Sequence, residues 1–240
     1  MTVFFTASRN LYPYLYPPIY SLLETNPDVE KIYILCEDDE LNVSWDVPEQ
    51  VECINVSGER VFLQDSPNIR TAFSRVTLMR ACIADLVPES VKRIIQLDAD
   101  VIITDSLQPL WDLDMTGKWI AACKENEKST QKAFQDLDER YFNVGVAVLN
   151  LEQIRKDGIT QRIVNYLNTV YMPWIDQDAW NNFGLKEGKI LEIENVRYNE
   201  SFVTGYTEDP AIVHFCGIGC WWLPKQYYRR EYWDKYYPPR

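Results

Sequence analysis

Asp98 and Asp100 stand one residue apart at the end of the apolar run Arg93-Ile94-Ile95-Gln96-Leu97 in a chain of 240 residues. A run of this length reads as a buried parallel strand, and open α/β sheets collect their ligands beyond the carboxyl ends of such strands. Two carboxylates there need a counter-charge. A divalent cation that also carries a diphosphate supplies it, because hard cations bridge carboxylate and phosphate oxygens. A bare Asp-x-Asp is more often a solvated surface turn, so the surrounding residues have to decide. His214 is the single histidine of the chain. With Cys216 and Cys220 it could be imagined as a zinc site, but the spacing matches no common zinc pattern. Asn143 lies inside the otherwise apolar run from Tyr141 to Leu151, where an amide needs a partner.

The elements that must position these groups alternate between strand and helix. Val3 to Ala7 predicts a first strand, and the polar break Ser8-Arg9-Asn10 follows it. A helix begins at Pro17, where proline suits a first turn, and stops before Asn26-Pro27-Asp28. Lys31 to Cys36 completes a β-α-β unit, which implies parallel strands with a right-handed crossover. Val51 to Val56 is a third strand. Phe73, Val76, Met79, Ile83 and Leu86 recur at helical spacing as far as Pro88, with Arg75 off that stripe and near the helix start. After the strand that ends at Asp98 come strands at 118–123 and 141–151, helices near 152–156, 159–171 and 177–183, and short strands near 189–193 and 211–215. There is no internal repeat or linker, which predicts one α/β domain with a mostly parallel sheet.

Composition narrows the classes. Hydrophobic residues make up 46% and charged residues 25% of the chain, an ordinary globular balance, and no apolar stretch approaches the ~20 residues of a membrane span. The start of the chain lacks the basic and long apolar segments of a signal peptide, so a cytoplasmic location is expected. The net charge of -12 argues against nucleic acid as a partner. Six scattered cysteines, mostly within apolar runs, read as buried free thiols. Residues 221–240 differ from the rest: five basic against two acidic residues, and eight aromatics. Such a tail either docks peripherally on an anionic membrane or stacks on sugars, or packs as a C-terminal helix on the body of the protein.

Several separated segments coincide with one pattern, and from about residue 3 to residue 222 the chain resembles glycosyltransferase family 8. That resemblance implies a single Rossmann-like nucleotide-sugar-binding domain of the GT-A type over residues 1–220, followed by the 221–240 tail. It implies that Ala7, Ser8 and Asn10 hold the uracil and ribose, with Ser8 where an aspartate is common. Asp98, Ala99 and Asp100 form the metal and diphosphate turn, continued by Ser106-Leu107-Gln108-Pro109-Leu110-Trp111, and Asp98, Asp100 and His214 are the implied metal ligands. Neutral imidazole with two carboxylates suits Mn2+, or Mg2+, once diphosphate oxygens complete the shell. The resemblance makes Arg75 the helix arginine that reaches the donor sugar and Asn143 the amide that meets that sugar. It sets Asp176 and Gln177 in Trp174-Ile175-Asp176-Gln177-Asp178 beside the anomeric carbon, and Gly217 beside the diphosphate. As bare chemistry, Asp176 is at least as well explained as an N-cap of the following helix.

One position departs from the pattern. Family members carry a lysine before Pro-Trp, whereas Cys220-Trp221-Trp222 stands here and Lys225 comes later, so stabilisation of the leaving group should weaken. The expectation is a metal-dependent retaining hexosyltransferase that uses a UDP-sugar, UDP-glucose or UDP-galactose, and a glycan, lipid-linked or protein acceptor. Two alternatives stay open at this point: a non-catalytic binder of UDP-sugar or glycan on the same fold, and an aspartate-dependent phosphatase.

Overall fold

A computed structural model describes residues 1–69, 73–126, 140–217, 222 and 228–236. Its centre is a seven-stranded sheet in the order β3-β2-β1-β4-β7-β6-β8. The strands are β1 (Thr2–Thr6), β2 (Lys31–Cys36), β3 (Val51–Asn55), β4 (Arg93–Leu97), β6 (Ile120–Lys124), β7 (Phe142–Asn150) and β8 (Ile190–Glu192). Only β7 runs against its neighbours β4 and β6, so the sheet is mostly parallel. The central strands are buried on both faces, which is why their sequences are continuous apolar runs with no alternation.

Helices cover the sheet. On one face lies α1 (Tyr16–Thr25), which starts with Pro17 and Pro18 in its first turn and buries Ile19 and Leu22. The short α4 (Gln108–Trp111) buries Leu110 on the same side. On the other lie α5 (Leu151–Asp157), α6 (Ile159–Thr169) and α7 (Ile175–Lys186). The helix expected from Phe73 to Leu86 is broken into α2 (Arg75–Leu78), a 3-10 turn at Met79–Cys82 and α3 (Ile83–Leu86). Ser74 caps its start by accepting from Thr77 N.

The apolar run around the two aspartates does not continue as one strand. β4 stops at Leu97, the chain turns through Asp98–Asp100, and β5 (Val101–Ile103) enters a separate two-stranded antiparallel sheet with β9 (Ile212–His214). Val101 stands opposite His214 in that pair. The small sheet thereby ties the turn to the histidine across more than a hundred residues of sequence.

The described part of the tail forms a packed helix, α8 (Arg230–Tyr236), which covers the outer face of that small sheet. Trp233 is 0% exposed and meets Phe215 edge to face at 5.8 Å. Of the two roles expected for these aromatics, Trp233 and Tyr236 follow the packed-helix one, with their rings buried in the protein; Trp221, Lys225, Tyr227 and Tyr237 lie outside the described residues. Among the described residues no helix is long and apolar enough to cross a membrane. Cys36, Cys53, Cys82, Cys123 and Cys216 are free thiols.

Candidate active site

Asp98, Asp100 and His214 converge at the carboxyl end of β4, with one ligand atom from each within 4.8 Å of the others. His214 Nε2 lies 3.3 Å from Asp100 Oδ1 and 3.7 Å from Asp98 Oδ2. Donor atoms around one small divalent cation are about 3 Å apart, so this spacing suits such an ion. Among the described residues the buried Nε2 has no hydrogen-bond partner, and burying such an atom is costly unless something occupies it. The other ring nitrogen, Nδ1, meets Asn199 Oδ1 at 2.8 Å. Burial works against a charged ring, yet the carboxylates of Asp100 and Asp98 outweigh it and raise the imidazole's pKa. A metal has to displace that proton.

Gly145 makes room for the cluster. A methyl group there would sit 2.4 Å from His214 Cε1 and 2.6 Å from Asp98 Oδ2. The residue lies where β7 loses register with β6: Cys123 faces Asn143 while Ala122 faces Ala147. Irregular ladders of this kind re-aim side chains beside active sites, and this one presents Asn143 and Gly145 to the cavity while Gly145 O accepts from Asp98 N at 2.7 Å.

The cavity, about 320 Å³, is lined by Arg80, the three cluster residues, Glu125, Asn143, Gln177, Cys216 and Gly217, with Phe73, Trp174, Ile175 and Val203 as its apolar part. Asn143 Nδ2 donates to Glu125 Oε1 at 2.9 Å and Gln177 Nε2 donates to the same oxygen at 3.1 Å. Asn143 Oδ1 accepts from Asn199 at 3.0 Å, which joins this amide network to His214. Trp174 is 44% exposed at the lip. Beside it Ile175 holds φ at 43°, a left-handed backbone that is costly for a β-branched residue and clusters at functional sites.

The structure moves two expected roles. Arg75 does not reach the site: its guanidinium donates to the carbonyls of Glu59 and Phe62, at 2.7 and 3.0 Å. Arg80 lines the cavity instead, pairing with Asp98 through Nη1 and holding both oxygens of Asp176 at 2.8 and 3.1 Å. Asp176 is neither an N-cap, since Trp174 occupies that position, nor a lining residue. It is fully buried and serves to hold Arg80. The clue to Arg80 was present in its position, four residues after Val76 and so on the buried face of the helical stripe. Glu125 and Asn199 carried no comparable signal.

Ala7 is buried at the end of β1, and Ser8 Oγ donates to Asn10 Oδ1 at 2.6 Å. These three do not line the cavity. They follow the carboxyl end of β1, which lies beside β4 and parallel to it with Val3 opposite Ile95. Gly217 does line it, with φ at 78°, a conformation that favours glycine. Cys220 lies outside the described residues.

With this geometry in place, comparison with known proteins identifies the class. The family model of glycosyl transferase family 8 matches residues 3–225, and the chain belongs to that family. The aspartate-dependent phosphatase is thereby set aside. The chain is 31% identical over 189 residues to general stress protein A of Bacillus subtilis, covering 66% of this chain and 64% of that protein. It is 25% identical to glycosyltransferase GlyD of Streptococcus pneumoniae over 97% of this chain, but spans only 30% of GlyD. In fold it matches the galactosyltransferase LgtC, solved in complex with donor and acceptor sugar analogs, with a TM-score of 0.74 at 21% identity, covering 100% of this chain and 98% of that one. The fold is that of a GT-A glycosyltransferase.

Proposed function

We propose that the protein is a retaining hexosyltransferase that moves a hexose from a UDP-sugar to an acceptor hydroxyl. The observation that carries this reading is the single cavity in which the Asp98, Asp100 and His214 cluster meets the Asn143, Glu125 and Gln177 amide and carboxylate network. A Mn2+ or Mg2+ held by the three cluster residues would supply charge neutralisation for the departing diphosphate. Ala7, Ser8 and Asn10, on the same sheet edge, would hold the base and ribose, and the exposed Gly217 would leave backbone open to the diphosphate.

The remaining steps belong to the chain's own residues. Arg80, pinned by Asp176, holds Asp98 in orientation. Asn143, Glu125 and Gln177 offer donors and acceptors to sugar hydroxyls. The acceptor oxygen bonds to the anomeric carbon on the face from which UDP leaves, the carbon–oxygen bond to UDP breaks, and the acceptor's proton passes to the diphosphate. The apolar lip of Trp174, Phe73 and Val203 limits water at that face.

Titration calorimetry with UDP in the presence and absence of Mn2+, followed by assays of hexose release from UDP-glucose and UDP-galactose, tests the reading. Metal-dependent binding and slow release are expected. UDP binding of equal strength with and without metal, or retained undiminished in Asp100→Asn, would overturn it.

A further inference from the structure

Gln177 is held at every polar atom of its side chain. Its Oε1 accepts from Val144 N at 3.0 Å, and its Nε2 donates to Glu125 Oε1 at 3.1 Å and to the Tyr141 hydroxyl at 3.2 Å. Turned over, the amide would set two N–H groups against each other at Val144 and two oxygens against each other at Glu125, so one orientation is stable.

The Tyr141 hydroxyl is itself directed. It donates to Asp178 Oδ1, and the other oxygen of that carboxylate accepts from Trp174 N at 2.8 Å. Asp178 is fully buried and does not line the cavity. We propose that Asp178, acting through Tyr141, is a positioning residue for the Gln177 amide, and that protonation of Asp178 loosens that amide. The proposal rests on the reading of Gln177 as a group that meets the donor sugar.

The coupling follows from the valence of a phenol. Its O–H lies near the ring plane, which leaves two good in-plane directions for hydrogen bonds. With Asp178 ionised, one direction donates to the carboxylate and the other accepts from Gln177. With Asp178 protonated, the new proton sits on Oδ1, because Oδ2 faces the N–H of Trp174. Two donors then point at the phenol, its own proton has to compete with one of them, and the amide loses a defined partner.

The groups facing Asp178 are Tyr141 at the entry to β7, Tyr166 from α6, Glu125 beyond Gln177, and Asp176 on its own helix, the last paired with Arg80. Burial pushes the Asp178 carboxyl up to about 6; the Tyr141 and Trp174 bonds oppose the rise, and the charges of Asp176 and Glu125 add to it. The switch therefore falls near pH 6.

The test measures kcat and donor KM for hexose release from UDP-glucose and UDP-galactose between pH 5 and 8, at saturating Mn2+, for the parent, Asp178→Asn, Tyr141→Phe and the double variant. In the parent, kcat should fall by up to about tenfold per pH unit below the midpoint. In each single variant this acid limb should flatten, with kcat at pH 7.5 reduced about tenfold or more and donor KM moved far less, and the double variant should lose no more than either single one. An unchanged acid limb in either variant, or additive losses, overturns the proposal. A second readout does not need turnover: the Gln177 side-chain amide resonance should titrate with the Asp178 carboxyl in the parent and stop doing so in Tyr141→Phe. An amide resonance indifferent to pH would also overturn it. If the parent releases no hexose from either donor, the functional reading fails and the resonance still decides the positioning.

Discussion

At Gly145 the distance of 2.4 Å from a hypothetical methyl to His214 Cε1 leaves the cluster no way to accept a side chain. Its neighbours are the histidine ring and the Asp98 carboxylate, both held by other bonds. Gly145→Ala should therefore cost about 1–3 kcal/mol in chemical denaturation, the usual range for overpacking, and weaken Mn2+ binding in calorimetry. Parental Mn2+ affinity in a folded variant would contradict the packing argument. Asn199 acts one step back, orienting the imidazole through Nδ1. Loss of such an outer partner typically costs ~10–100-fold in metal affinity. Asn199→Ala should show that loss with little change in secondary structure by circular dichroism, and a change under twofold would mean that the ring needs no such support.

The segment from Ser74 to Leu86 shows why an element's break matters. Its turn at Met79–Cys82 carries Arg80 inward while Arg75, one and a half turns earlier, caps the carbonyls of Glu59 and Phe62. The two arginines should respond differently to substitution. Arg80→Met leaves Asp176 charged and buried without its partner, and breaking such a pair costs about 3–5 kcal/mol. Arg75→Ala removes two bonds to loop carbonyls, worth roughly 1–3 kcal/mol together, and should spare the metal site. Urea denaturation with Mn2+ titration separates the two, and the reverse ranking would return the site role to Arg75.

For the molecule as a whole, the folded state holds some groups in protonation states that water would not favour. Asp178 has a pKa raised to about 6 from an ordinary 3.8, so its ionisation opposes folding fully above pH 6, and that opposition fades as pH falls toward 3.8. Relative to Asp178→Asn, the parent should gain roughly 1.4 kcal/mol of stability between pH 7.5 and 5. Parallel urea curves with no such gain would place the carboxyl's midpoint elsewhere. The C-terminal helix contributes on the same scale. Trp233 fills the outer face of the small sheet that carries His214, and Trp233→Ala should cost about 3–5 kcal/mol. A loss below 1 kcal/mol would mean that α8 is not part of the folded core.

Strand and helix positions were legible along most of the chain because apolar periodicity is local: β2 spans Lys31–Cys36 as expected, and α1 stops at Thr25, before Pro27. The pairing of Asp98 and Asp100 with His214 was legible through the family pattern, since ligand types and their order survive in sequence. What sequence spacing could not decide was which polar side chains reach one another. The helical stripe put Arg80 on the buried face without showing that Asp98 and Asp176 meet it there, and the strand that ends at Asp98 gave no sign that the following turn leads into a second sheet with β9. Glu125, Asn199, Tyr141 and Asp178 come from four separate stretches: the packing of β7 against α7 and the lost register between β6 and β7 bring together three of them, and the turn at Val196–Asn199 beside β9 brings Asn199 to His214. Contacts of this kind depend on differences of an ångström between distant segments, and such distances are set by the packed core, not by neighbours along the chain.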